Sequence, residues 1–363
     1  MIANITQSQV LQRLQEHGLQ HTVVELDGGA RIVVMQRGGR ILGPFLPGDG
    51  GSILWLNDVW ADSDAFSAYL AGNEWNLGGE RVWIAPEIQF SVRDRYDFWN
   101  TVQCPPAVDP GNYSLDQASA GEVTLCQRMV LEAYNIASGS KELYLKRHIR
   151  PAANPLRALS QFKELMDGVG YAGYEHAVEL SETTSDDIVS EGWSLLQLHA
   201  GGILIIPASP KVEYSDYFDP IDSDHQTIHQ DAGYVAVRIS GRRQFKVGYK
   251  SAHVQGRLAY LSRLNDSHFY LLIRNFFNNP SSLYAEEPPH LPGCRGHSIH
   301  VYNDDGDFGG FGELEVMAQT IGGETGRRSS SEQFLFWLFV GPGDRLELLA
   351  EHLLGVRLIV DLP

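Results

Sequence analysis

Residues 296–319 read GHSIHVYNDDGDFGGFGELEVMAQ. Ser298–Asn303 mixes β-branched, aromatic and imidazole side chains and ends in the turn formers Asp304, Asp305, Gly306 and Asp307, the signature of a strand running into a turn. Gly309 and Gly310 permit a tight reversal. Glu313–Met317 is then a second strand. Side chains alternate along a strand, so Phe311, Glu313 and Glu315 share one face.

The same pattern continues outward through the chain. Thr22–Leu26, Arg31–Gln36, Ser52–Leu56, Glu122–Val130, Glu142–Ile149, Trp193–His199, Gly202–Pro207, Tyr234–Ile239, Gln244–Tyr249, His268–Phe276 and Phe334–Val340 are short apolar runs bounded by Gly, Pro, Asn or Asp. Three helices are predicted. Thr6 and Gln9 form a capping box for a helix over about 6–18, with Gly18 as its stop. A second covers Ser63 to Leu70. A third covers about 344–355, with Asp344 capping, Glu347 answering it and Gly355 ending it. About thirteen strands that do not alternate with helices exclude a parallel α/β sheet and predict an all-β sandwich with a few short peripheral helices. One domain over residues 1–363 is the economical organisation; a break near 151–190 is the alternative. The polar stretch 207–232 is long for a plain connection and is expected to be a functional loop.

Composition narrows the function. The chain has 363 residues, 28 Lys+Arg against 45 Asp+Glu, and a formal charge of −17. That balance argues against nucleic acid and anionic lipid as partners. Its three Cys are sparse and unpatterned, so neither a disulfide framework nor a Cys-based zinc site is expected. No signal-like N-terminus or apolar run of about 18 residues is evident, and a cytoplasmic protein is expected. The nucleotide-binding patterns GxGxxG and GxxxxGK[ST] and the nucleophile pattern GxSxG are missing.

Three groups of residues could carry chemistry. Glu313 and Glu315, roughly 7 Å apart on one strand face, could not both ionise readily in a hollow without a counter-charge, and one would become a general acid or base near neutrality. On another strand Trp193, Leu195, Gln197 and His199 share a face, with Ser194, Leu196 and Leu198 turned to the core. There the indole suits the apolar side of a pyranose, and the amide and imidazole suit its hydroxyls. In the stretch WNLGGERVWIAPE, glycines ahead of Glu80 and Arg81 suggest a sharply turning loop that presents Arg81, with Trp83 beyond it. The bland reading of Arg81 is a salt bridge to Glu80 or Glu87. Asp304, Asp305 and Asp307 offer oxygen ligands for Ca2+, although their spacing is not that of an EF-hand. His297 and His300 fall on opposite strand faces and are poor co-ligands.

The succession RGGRILGPF, NLGGERVWIAPE, W-x-L-x-Q with IIPASP, FKVGY, HVYNDDG…GFGELE and a final LLGV resembles the galactose mutarotase-like proteins, an uncharacterised bacterial branch of them, from about Gly38 to Val356. The resemblance implies a β-supersandwich with a carbohydrate-binding concave face. It also implies aldose 1-epimerase chemistry without a cofactor, in which a glutamate takes the anomeric proton and a histidine protonates the ring oxygen. On this chain the catalytic candidates are Glu313, Glu315 and His199. The substrate-binding candidates are Arg81, Trp193, Gln197, Asn303, Trp83, Glu80 and His300. Glu-Leu-Glu stands where the epimerases carry Glu-Thr-Gln, and their His-Ser-Tyr-Phe-Asn-like stretch is absent. The expected partner is therefore a small-molecule carbohydrate. A non-catalytic sugar-binding or sensing protein is the alternative, and a polysaccharide lyase or hydrolase ranks last.

Overall fold

Antiparallel pairing dominates the computed structural model, which describes residues 5–359 except Asp49, Asn73, Ala120 and Ser185. One nine-stranded sheet runs, in spatial order, His21–Glu25, Arg31–Met35, Arg40–Phe45, Glu80–Ala85, Glu191–His199, Phe311–Met317, His297–Asn303, Phe245–Lys250 and Tyr214–Asp216. A ten-stranded sheet runs Gln226–His229, Tyr234–Arg238, Ile203–Pro207, Arg257–Arg263, Phe269–Asn275, Ser329–Gly341, Gly170–Glu182, Gly139–Pro151, Glu122–Ala133 and Ser114–Ser119. The expected β-sandwich is present, and both sheets interleave strands from early and late in the chain.

The main core fills the space between the sheets. Val82, Ile84, Leu196, Leu198, Leu314 and Val316 of the first sheet meet Leu180, Leu272, Phe336 and Leu338 of the second. Two satellite cores lie outside. Leu346, Leu349 and Leu353 of the helix Gly343–Leu354 pack on Ile205, Leu261, Leu271 and Phe339. Val10 and Leu14 of the helix Gln7–Glu16 pack with Val33, Leu42, Trp60 and Phe66.

The N-terminal capping box forms as expected, with Thr6 and Gln9 bonding each other's backbone. The C-terminal helix begins one residue earlier than its sequence suggests. Pro342 is its N-cap, with no side-chain cap, and Asp344 sits in the first turn, where a carboxylate complements the helix dipole. Ser52–Leu56, read as a strand, makes only isolated bridges, to Phe45, Leu198 and Gly78. Stretch 207–232, read as a loop, contributes an edge strand to each sheet, Tyr214–Asp216 and Gln226–His229.

The segment read as an Arg-presenting loop is itself a strand, Glu80–Ala85. The sharp turn precedes it. Gly78 and Gly79 have φ of 93° and 81°, and a Cβ on Gly78 would sit 2.5 Å from the Leu56 Cα. Because the segment is a strand, Glu80 and Arg81 point in opposite directions. Glu80 enters the sandwich interior, not the outer face, which removes it from the sugar-contacting set. Its carboxylate accepts from Arg274 at 2.7 Å and Ser194 at 3.3 Å, pairs with His176 at 2.7 Å, and is bonded by the Tyr174 hydroxyl. Burial alone would raise its pKa, but Arg274 and His176 hold it well below the carboxylate range. Glu80→Ala would strand Arg274, whose Nε and Nη1 already lack partners. It is expected to cost about 3–5 kcal/mol, read as a lowered urea midpoint with unchanged slope.

Candidate active site

A cavity of about 530 Å³ lies on the outer face of the nine-stranded sheet, its remaining wall supplied by residues that include Trp75, Glu87, Trp99, Gln103 and Asp109. Period-two alternation selects its floor. Arg81 and Trp83, Trp193 and Leu195, Phe311, Glu313 and Glu315, Tyr302, and Lys246 come from five neighbouring strands, and all line it. The strand register explains the grouping. Glu313 lies opposite Gln197 and Tyr302, Glu315 opposite Leu195 and His300, and Trp83 opposite Trp193.

Arg81 pairs with Glu313 at 2.8 Å, and not with Glu80 or Glu87 as the bland sequence reading held. Its guanidinium lies 4.2 Å from the Trp83 ring centre and 5.1 Å from that of Trp75, whose rings meet edge-on, an aromatic setting that favours a planar cation. Arg81 Nε and Nη1 are buried and have no hydrogen-bond partner in the protein. Two such donors on a cavity wall are a costly arrangement unless a ligand or water accepts from them.

Glu315 is 1% exposed. It accepts from the Trp193 indole at 3.0 Å and lies 3.4 Å from Lys246 Nζ. Burial pushes its pKa up to about 7, with Lys246 opposing and Glu313 and Glu87 assisting. Lys246 also reaches Glu87 at 3.1 Å and sits 4.3 Å over the Trp193 ring. Burial would lower its pKa, but Glu315, Glu87 and Glu286 outweigh that and raise it, so it stays charged. Glu286, outside the lining, accepts from the Glu87 backbone N–H at 2.6 Å. Its pKa is raised well above the usual range, chiefly by burial. Three carboxyls thus share one ammonium, and neutrality requires protons among them.

The other candidates fall elsewhere. His199 does not line the cavity. Its ring bonds the Ser52 carbonyl at 3.0 Å, and burial lowers its pKa to about 4. It sits at the strand end, covered by the Ser52–Leu56 segment that alternation alone did not place above it. Gln197 donates to Asn76 at 2.8 Å, and Asn76 in turn holds the Phe308 carbonyl at 2.8 Å, so Gln197 supports the cavity wall without lining it. Asn303 ties down the 240–243 turn through Ser240, Gly241 and Arg243. His300 shares the face of Glu315 but bonds the Tyr217 hydroxyl at 2.9 Å and does not line the cavity. His297, expected on the opposite face, shares that hydroxyl at 3.2 Å; it lies beyond a register shift at Tyr249/Lys250. The Asp-rich turn is a backbone clamp. Asp304 accepts from Gly306 and Gly310 N–H at 3.1 and 2.8 Å, and Asp305 and Asp307 are exposed. No group of three or more potential metal ligands occurs among the described residues.

Lys246, Glu87, Trp75 and Asp109 also belong to the lining, yet none of them was selected from sequence. Lys246 had a legible signal: a lysine between Phe245 and Val247, in mid-strand, must be buried and paired.

A family profile described as "Family of unknown function (DUF6786)" matches residues 6–360. The chain belongs to this family. No curated protein matches the DUF6786 chain in sequence. Among solved structures it is similar to a protein from Escherichia coli K12 proposed to be an aldose 1-epimerase, at 10% identity, over 88% of this chain and 99% of that one, with a TM-score of 0.52. A galactose mutarotase-like protein from Lactobacillus casei ATCC 334 matches at 12% identity, over 88% and 100% of the two chains, with a TM-score of 0.48. At such identities the likeness concerns the fold, which for this DUF6786 chain is the galactose mutarotase-like sandwich.

The buried acids and histidines of the DUF6786 chain make its stability depend on pH with a definite sign. Glu191, Glu315 and Glu332 are raised by burial from 4.5 to about 8, 7 and 7, and Glu286 is raised as well. The folded state therefore holds protons the unfolded chain releases, and stability falls as pH rises from about 4.5 through those values. Burial lowers His176 and His199 from 6.5 to about 4, His297 to about 3, and His300 as well. Their contribution is complete above 6.5 and is lost as pH falls toward the lowered values. The two sets offset each other between 4.5 and 6.5. Above 6.5 only the acids act, so the urea midpoint is expected to drop between about pH 6.5 and 8, with unfolding releasing protons over that range.

Proposed function

We propose that this protein is an aldose 1-epimerase-like isomerase that interconverts the anomers of a neutral free sugar by acid/base ring opening. The observation that carries the reading is the pair of carboxyls on one cavity wall in contrasting surroundings. Glu313 is held in an ion pair by Arg81, while Glu315 is raised to about 7 by burial. Two acids in contrasting environments divide naturally into base and acid. Trp193 and Trp83 offer apolar planes for the sugar ring, and the unpaired Arg81 donors offer hydrogen bonds to its hydroxyls.

In the forward step Glu313 accepts the proton of the anomeric hydroxyl. The C1–O5 bond breaks as C1=O forms, and protonated Glu315 gives its proton to O5. Rotation about C1–C2 presents the other carbonyl face. Closure then reverses both proton transfers, so Glu313 and Glu315 finish as they began. Among the described residues no histidine lines the cavity, so in this reading the acid role passes from the imidazole expected by resemblance to the second glutamate. The lining carries Glu74, Glu87, Asp109, Glu313 and Glu315 against Arg81 and Lys246, a balance that disfavours anionic substrates. A hexuronate is expected to bind at least about tenfold more weakly than the matching hexose by calorimetry, with the gap closing in high salt.

Polarimetry on freshly dissolved α-glucose and α-galactose tests the reaction. Relaxation faster than buffer, proportional to protein, supports it. A folded sample that accelerates no sugar in a neutral panel removes it. The absence of a histidine from the lining favours a second reading, binding without turnover, which predicts calorimetric affinity with no acceleration.

A further inference from the structure

We infer that the cavity contains a second sugar platform, formed by Trp99 with Phe98 and Phe218, so that the preferred ligand is a reducing disaccharide or longer oligosaccharide. The inference rests on the anomer-interconversion reading for which end of the sugar faces Glu313 and Glu315. The cavity, about 530 Å³, is well within the range that encloses drug-sized ligands and much larger than one hexose ring. The groups proposed for catalysis occupy only its floor.

The same lining also includes Phe98, Trp99 and Phe218, together with Ser91 and Gln103. These residues come from two separate stretches. Ser91 and Gln103 are joined by a backbone hydrogen bond at 2.7 Å, and Tyr217, next to Phe218, donates its backbone N–H to the Lys246 carbonyl at 2.8 Å. The platform is therefore anchored directly to the strand that carries Lys246. Trp99 packs edge-on to Phe98 at 4.9 Å and tilted to Phe218 at 4.7 Å. Its position is thereby defined, yet it remains 52% exposed. A Trp positioned by two rings but left open on a cavity wall is a stacking surface for an apolar face. Ser91 and Gln103, which line the same cavity, suit a ligand whose edge bears hydroxyls, which favours a sugar ring over a purely apolar group. Because ring opening requires a free anomeric hydroxyl, the second unit cannot be attached at C1 of the reacting sugar. It must extend from another hydroxyl, with the reducing end innermost.

The test compares anomer interconversion of glucose with that of maltose, cellobiose and lactose, all of which carry glucose at the reducing end, in wild type, Trp99→Ala and Trp99→Phe. At least one disaccharide is expected to exceed its monosaccharide in kcat/KM by about tenfold, the size of one good aromatic contact. Trp99→Ala is expected to remove that ratio and Trp99→Phe to restore most of it. Equal ratios in wild type and Trp99→Ala, or no disaccharide preference, overturn the platform while leaving the isomerase reading intact. Should no sugar turn over, the same ratios are read as dissociation constants by calorimetry. Disaccharide affinity lost in Trp99→Ala then upholds the platform although the isomerase reading has failed, and absence of binding to every sugar overturns both.

Discussion

Replacing Glu315 by glutamine is expected to slow enzyme-dependent anomer interconversion by about 10²–10⁴-fold, the range for removing a positioned general acid or base. The amide is close to isosteric and its oxygen can still accept from the Trp193 indole, which bonds Glu315 at 3.0 Å, so folding and sugar affinity are expected to change little. What disappears is a proton that is exchangeable near neutrality, because burial raises Glu315 to about 7. Wild type should therefore show a pH limb in kcat near that value. Above it the acid form is lost and the rate falls; in Glu315→Gln the limb vanishes together with the activity. Stopped-flow polarimetry across pH 5 to 9 reads both effects. Retention of near-wild-type turnover by the glutamine variant would assign the chemistry to another group.

Lys246→Met is expected to be the most damaging single change to the site's stability. The ammonium is 3% exposed and serves Glu87 at 3.1 Å and Glu315 at 3.4 Å. Methionine fills similar space but leaves those acids and Glu286 with no cation among them. Removing one partner of a buried charge cluster costs about 3–5 kcal/mol. The deficit should shrink as pH falls, because the stranded acids can then take up protons. Lys246 also opposes the upward shift of Glu315, so residual activity should have its limb moved to higher pH. Urea unfolding at pH 5 and pH 8 separates these effects. A variant as stable as wild type at pH 8 would show that the cluster is already neutral.

Alternation made the cavity floor largely legible from sequence. The same rule set Glu313 and Glu315 on one face and turned Trp193 away from Leu196 and Leu198. It worked because each of those segments is a regular strand. Glu80 was misjudged for the same physical reason in reverse. Two glycines disguised Glu80–Ala85 as a loop, and once it is a strand, adjacent residues must part company. His199 shows a different limit. Its face was correct, but whether a face is open or covered depends on the Ser52–Leu56 segment, which is distant in sequence and only bridges the sheet. Asp304 illustrates a third. An aspartate ahead of glycines can clamp backbone N–H groups or bind a cation, and composition does not distinguish the two. Lys246 and Glu286 were the missed opportunity, since buried charges in apolar surroundings announce a partner without naming it.

The most direct measurement is exchange between the α and β anomer resonances of neutral reducing sugars, followed by proton NMR with wild-type protein over a pH series. Enzyme-dependent exchange that declines above a limb close to neutrality, and is abolished in Glu315→Gln, is the expected result. Exchange no faster than in buffer at every pH, with the protein folded and the sugar bound, would contradict acid/base ring opening in this cavity.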